Sequence, residues 1–179
     1  MGKESQRKIK AVTMRKLCLL LVLCGCGYTI LTVKNIESLQ LVPFENRVKI
    51  TTHSQNYSQT QVYPVGLEDK ITKFLKKEIL TKTNLKLVQD SQVLLKGYIK
   101  DFKRYPLTYT ESEDVDQYRI ICVCRITLTD KDKVILDKNV TEDFVFCVRG
   151  ENSISFKEAE TIIAERIAKK ITEVLRYTW

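Results

Sequence analysis

The 179-residue sequence holds one histidine, His53, and one tryptophan, Trp179. A lone imidazole in a polar Ser/Thr/Gln/Asn stretch (Thr51 to Tyr63) has no acid–base partner in sequence. There is no G-x-S-x-G elbow, and the six glycines form no phosphate-cradling loop. Glu45 and the acidic residues near position 113 are paired with no nucleophile, so nothing points to an enzyme or to a cofactor. No internal repeat or low-complexity segment appears. No apolar run reaches the roughly 20 residues of a spanning helix, the longest being Leu17 to Val33, interrupted by Gly25 and Gly27.

Cysteine is scarce beyond the first 26 positions, where only Cys122, Cys124 and Cys147 occur. One residue between Cys122 and Cys124 is too few for the C-x₂₋₄-C spacing of a zinc site, and no metal is implied. On a strand these two share a face with Ile120 and Ile126 and read as small buried hydrophobes. A bridge from Cys147 to either is left open.

What is present begins at the N-terminus. Lys3, Arg7, Lys8, Lys10, Arg15 and Lys16 stand against one acid, Glu4, and precede the apolar run Leu17-Cys18-Leu19-Leu20-Leu21-Val22-Leu23. Charged head, short apolar core and small residues describe a secretory signal peptide over residues 1–25. Leu23-Cys24-Gly25-Cys26 resembles a bacterial lipobox, which implies diacylglycerol on the Cys26 thiol, cleavage before it and acylation of the new amine. An uncleaved signal anchor is the alternative. Two or more acyl chains hold a protein stably where one is marginal. Gly27 is not the Asp that favours inner-membrane retention, which points to the outer membrane.

Cleavage also changes the charge. The whole chain carries +8, but residues 1–25 take six basic side chains and one acidic, leaving +3 on residues 26–179. The basic balance therefore belongs mostly to the signal, and a nucleic-acid partner loses its support.

Residues 26–179 read as one α+β domain. Thr32 to Asn46 is strand-like around Leu39-Gln40-Leu41-Val42-Pro43-Phe44, with Pro43 suited to an edge. Leu67, Ile71, Phe74, Leu75 and Ile79 keep the rhythm of one helical face, with Glu68 and Asp69 in the first turn and Lys82 in the last. Leu85-Lys86-Leu87-Val88 and Val93 to Ile99 read as strand entry and strand. Tyr118 to Thr129 puts Tyr118, Ile120, Cys122, Cys124, Ile126 and Leu128 on one side. Arg119, Ile121, Val123, Arg125, Thr127 and Thr129 fall on the other. Val134 to Val148 follows, with Val134, Leu136, Val140, Phe144 and Phe146 on one face, so the last three strands form a meander. Ser155 and Glu158 make a capping box before a closing helix striped by Ala159, Ile162, Ile163, Ile167, Ile171 and Val174. The expected fold is a βαβββα two-layer sandwich: a four-stranded mixed sheet with two helices packed on one face.

Cys26-Gly27-Tyr28, then Leu41-Val42-Pro43-Phe44-Glu45-Asn46-Arg47, resembles the opening of the LPS-assembly lipoproteins (LptE). The likeness runs on through Val65-Gly66-Leu67-Glu68, Leu94-Leu95-Lys96-Gly97-Tyr98-Ile99, Tyr105-Pro106-Leu107-Thr108-Tyr109 and the final helix. It rests on order and spacing across the whole mature chain. It implies an outer-membrane lipoprotein that sits in a large β-barrel translocon (LptD-like), plugs it, assists its folding and helps lipopolysaccharide reach the outer leaflet. A sheet face mixing Arg119, Ile121, Val123 and Arg125 suits the polar interior of such a barrel, and Tyr98, Lys100, Lys103 and Arg104 would add donors on the neighbouring strand. Family members can carry a basic residue in the loop between the second and third strands, implicated in contacting lipid A phosphates. Here that loop reads Glu111-Ser112-Glu113-Asp114-Val115-Asp116, which repels phosphate, and Arg149 is the nearest basic candidate. The expected barrel or lipopolysaccharide contacts are therefore Arg104, Arg119, Arg125 and Arg149. A second class is an envelope lipoprotein adaptor that activates a periplasmic enzyme or secretion machine. Strand residues begin within a few positions of Cys26, leaving little free reach for it.

Overall fold

Pro43 has no N–H, and the first edge strand breaks around it. In the computed structural model, which describes residues 36–48 and 63–177, β1 (Ser38–Leu41) and β2 (Glu45–Asn46) both run parallel to one side of β4 (Val93–Tyr109). Val42 N–H still donates to the Leu95 carbonyl at 3.0 Å, and Arg47 N–H to that of Ile99 at 3.0 Å. Between them the Phe44 N–H turns away and donates to Thr72 Oγ1, 2.9 Å off, on the first helix. The detour seats Phe44 in the core.

That helix, α1 (Leu67–Lys82), starts from Gly66 at φ 81°, a left-handed conformation that suits glycine. Leu67, Ile71, Leu75 and Ile79 are fully buried, one per turn. Each such side chain contributes about 1.5–3 kcal/mol relative to an exposed one. α2 (Phe156–Arg176) opens as expected, with Ser155 Oγ accepting from Glu158 N–H at 3.2 Å; an N-cap of this kind is worth about 1 kcal/mol. Its buried stripe takes in Ala164, Ala168 and Leu175 beside the expected Ala159, Ile163, Ile167 and Ile171, while Ile162 and Val174 are only partly buried. The alanines let α1 and α2 lie close, and Lys70 Nζ reaches Glu160 across them at 3.1 Å.

β4, β5 (Val115–Asp130) and β6 (Lys133–Cys147) form the antiparallel meander, while β3 (Lys86–Leu87) pairs with β1 at the far edge. The strand order is β3-β1-β4-β5-β6, with β2 beside β4. Among the described residues the sheet thus has six strands where the sequence pattern suggests four. Pro43 divides the first strand, and Lys86–Leu87, within the stretch Leu85 to Val88 expected to lead into β4, is a separate edge strand. The α+β class, the mixed sheet and the two helices on one face stand.

Bulges decide which side chains look inward. Ile99 pairs with Cys124 and Asp101 with Val123, so Lys100 is the extra residue. Before it Leu95, Gly97 and Ile99 are buried; after it the parity changes and Phe102 is. In β6 the shift falls at Ile135, between the pairs Leu128–Leu136 and Thr129–Val134. Val134 is consequently 54% exposed, against its expected place on the apolar face, and Ile135 packs on the core instead. An extra residue reverses every side chain beyond it.

Candidate functional site

With both helices on one side, the other side of the meander carries no layer among the described residues. Period 2 sends Arg119, Ile121, Val123 and Arg125 of β5 to that open side, because Ile120, Cys122, Cys124 and Ile126 fill the core. On β6 it sends Asp137, Asn139, Thr141 and Asp143 there.

Two arginine–aspartate rungs organise the surface. Arg125 Nε lies 2.8 Å from Asp137 Oδ1 and its terminal nitrogen 2.5 Å from Oδ2, a two-pronged contact. Arg119 sets Nε and a terminal nitrogen on Asp143 Oδ2 at 2.9 and 2.5 Å. Each aspartate stands diagonally across, since Arg125 is opposite Asn139 and Arg119 opposite Val145. Hydrogen bonding by Asp137 and then Tyr98 pushes the Arg125 pKa up; for Arg119 the causes are Asp143 and then Tyr105. The hydrogen bonds from Arg125 hold the Asp137 carboxyl below its usual range.

Tyr98 extends one rung across the sheet. Its ring carries the Arg47 guanidinium 4.5 Å from the centroid, and Arg47 is paired with Glu45 at 2.7 Å. Lys103 meets Asp101 at 2.9 Å. Ile121 and Val123 lie between the two rungs, and Val145, 42% exposed, stands opposite Arg119. These cations already hold carboxylates, so charge is locally neutral around the rungs and their small apolar belt, while Lys96, opposite Thr127, is exposed on the same side without an ion pair among the described residues. Such a surface offers fixed dipoles and shape to a polar partner. It is poorly suited to capturing phosphate through Arg119 or Arg125, whose forks are occupied.

The four expected contact residues do not converge. Arg119 and Arg125 share the open face. Arg104 lies on the helix side, because the Lys100 bulge reverses β4, and this corrects its expected place beside Tyr98 and Lys103. Its guanidinium is 4.3 Å from the Phe156 ring centroid and 5.9 Å from that of Tyr118. Arg149 binds Asp114 of the acidic loop at 2.9 Å. That loop is folded on itself, Thr110 N–H donating to the Asp114 carbonyl at 2.8 Å and Ser112 Oγ lying 3.3 Å from Asp114 Oδ2. The basic candidate is thus spent on an acid of the loop it was expected to replace. Cys26 and His53 lie outside the described residues.

Asp137, Asp143, Tyr98 and Tyr105 carry as much of the surface as the arginines. Their signal was the even-numbered apolar pattern of β6, which leaves the odd aspartates on the arginine side. Cys147 shares that side, opposite Gln117, whose Nε2 donates to its sulfur at 3.6 Å. Cys122 and Cys124 are in the core with sulfurs 3.9 Å apart. Cys147 therefore faces away from both, and all three are free thiols.

Among the described residues no group of three or more metal-ligating side chains gathers, and no helix is long and apolar enough to cross a membrane.

The model of the lipopolysaccharide-assembly family LptE matches residues 38–176. Rare lipoprotein B from Shewanella oneidensis has a similar structure, with TM-score 0.50 and 12% identity over 78% of this chain and 95% of that one. A hypothetical protein of Chlamydia trachomatis has TM-score 0.50 and 14% identity, covering 80% and 96%. A Xanthomonas campestris protein has TM-score 0.50 and 11% identity, covering 78% and 81%. At these identities the likeness is one of fold. None of the curated proteins matches the chain in sequence.

Proposed function

The chain belongs to the LptE family of lipopolysaccharide assembly, and from that premise we propose that it is the lipoprotein subunit of an outer-membrane lipopolysaccharide translocon. Residues 1–25 serve as the signal peptide, Cys26 carries the acyl chains, and residues 26–179 form the mature protein on the periplasmic side. Its partner is an LptD-like β-barrel, which it plugs and helps to assemble. The role is non-catalytic.

The observation that carries this reading is the uncovered sheet face. A barrel interior is polar and rigid. A wall of that kind is matched by side chains already fixed in orientation, because little rotamer freedom is then lost on docking. The forks of Arg119 and Arg125 on their aspartates supply that fixity, and Ile121 and Val123 supply the apolar contact between them. Lipopolysaccharide, on this reading, is handled by the assembled translocon, with no phosphate site built on Arg119, Arg125 or Arg149.

The test is a tagged pull-down from gently solubilised outer membrane, run with and without boiling. A heat-modifiable barrel recovered at near one-to-one stoichiometry is expected. Recovery of the mature protein alone and monomeric would overturn the reading. Processing is checked separately: Cys26→Ala should leave the precursor uncleaved and without lipid label.

A further inference from the structure

We infer that the end of the domain where the two helices finish rests on the phospholipid surface holding the anchor, with Lys82 and Arg176 receiving lipid phosphates; this builds on the lipidated Cys26 proposed above. α1 and α2 end beside one another, and their last basic residues line the same open cleft of about 380 Å³ together with Thr83, Asn84 and Ile36. A cation in a last helical turn is explained in part by the helix dipole, but each terminus presents only about half a negative charge. Two full positive charges line this one cleft. Neither Lys82 nor Arg176 makes an ion pair or side-chain hydrogen bond with a described residue. The Asn84 side chain borders the same space and can add a polar contact, whereas the Thr83 hydroxyl is taken by the Ile79 carbonyl and the Leu85 N–H.

The rim supplies the other half of an interfacial site. Leu80, in the last turn of α1, is 53% exposed, and Tyr177, directly after Arg176, is 92% exposed. Tyrosine is enriched where membrane meets water, and long basic side chains lay their stems on apolar groups while the charge reaches phosphate. No acidic side chain lines this cleft: Glu78 and Glu173 lie one turn back on the two helices, and Glu37, Asp90 and Asp130 line a separate hollow that shares Ile36. The phosphate-facing surface is therefore the helix side of that end.

Tether length favours the same end. Ile36 lines the cleft and lies ten residues after Cys26 in sequence. Ten residues span at most about 35 Å. β4 begins at Val93, which borders the hollow beside Ile36, and runs 17 residues to Tyr109. At about 3.4 Å per residue its far end is about 55 Å away. A ten-residue tether from Cys26 is thus shorter than β4 is long, which favours the cleft end over the distant hairpin as the one resting on lipid.

Trp179, the single tryptophan, follows Tyr177 by two residues and serves as the probe. The lipidated mature protein, residues 26–179, is reconstituted into phosphatidylethanolamine–phosphatidylglycerol vesicles with brominated acyl chains, and its fluorescence is compared with that in unbrominated vesicles. Quenching of Trp179 is expected. It should be lost in Lys82→Glu/Arg176→Glu, whose side chains are exposed and whose fold is checked by circular dichroism. It should also weaken in phosphatidylcholine vesicles at high salt. Flotation with the vesicles reads the anchor independently. A protein that fails to float refutes the lipidated Cys26 and with it this orientation. One that floats with Trp179 unquenched, or equally quenched in the charge-reversed variant, overturns the phosphate site and leaves the anchor standing.

Discussion

Phe44 turns the end of its ring toward the Cα of Gly97. A methyl group built on that glycine would stand 2.3 Å from Phe44 Cζ and 2.6 Å from Cε1. Both residues are buried, and the contact exists because Pro43 breaks the edge strand and sends Phe44 inward. Gly97→Ala should therefore destabilise the domain by overpacking, typically about 1–3 kcal/mol, as measured by urea unfolding. Phe44→Leu in the same chain should recover part of the loss. Equal stability of Gly97→Ala and the parent would show that the ring moves aside freely.

Tyr63 donates from its hydroxyl to Glu68 Oε2 on the first turn of α1 and lies edge-on to Phe102, with centroids 6.2 Å apart. Burial, followed by the hydrogen bond to Glu68, pushes its pKa far above that of a free phenol. A raised folded-state pKa contributes stability that is fully present below the unfolded pKa near 10 and is lost as pH rises beyond it. Ultraviolet titration should show Tyr63 ionising only as the domain unfolds in alkali. Tyr63→Phe should remove that component and cost about 0.5–1.5 kcal/mol, nearer the lower end because the pair is partly exposed.

The Arg125–Asp137 rung can be read by titration. Asp137 titrates low because Arg125 hydrogen-bonds its carboxylate. A depressed carboxyl contributes stability above its unfolded pKa, and the contribution disappears as pH falls through the folded one. Arg125→Gln should return Asp137 to the ordinary carboxylate range, seen in the carbon NMR shift of its carboxyl. Neutral-pH stability should hardly change, since exposed ion pairs are screened. A marked loss of melting temperature would mean that the rung holds the meander together.

Periodicity revealed the α+β class, both helices and the core face of β5, because Leu67 to Ile79 and Ile120 to Leu128 keep one period without interruption. It failed where the chain adds one residue. Lys100 and Ile135 are ordinary in type, yet each reverses the residues beyond it, which moved Arg104 to the helix side and Val134 to solvent. The Arg149–Asp114 contact joins two loops far apart in sequence, and nothing local announces it. Nor does local sequence announce that β3 pairs with β1, since two residues carry no period.

The thiols offer a check of the core that needs no partner. Cys122 and Cys124 are fully buried, and the Cys124 thiol is pushed up by its hydrogen bond with Cys122 and by burial. Cys147 is partly exposed on the open face. Reagents attack the thiolate, so reactivity follows exposure and pKa. In the Cys26→Ala chain, Cys147 should be the one of these three modified in the native state, with Cys122 and Cys124 reacting only after unfolding. Equal reactivity of all three would contradict the inward face assigned to β5.

The open face itself yields the sharpest prediction about the partner. Val123 lies between the rungs, paired with Asp101 on one side and Thr141 on the other. Val123→Lys adds a cation between two rungs whose charges are already matched. A solvated face would accommodate it, whereas a face packed on a barrel wall would bury an unpaired charge. Barrel recovery in the pull-down should fall sharply for Val123→Lys while its melting temperature stays within a few degrees of the parent. Lys76→Glu, on the exposed side of α1, changes charge by a larger amount away from this surface and should leave recovery intact. If Lys76→Glu releases the barrel and Val123→Lys does not, the helices, and not the sheet, meet the wall.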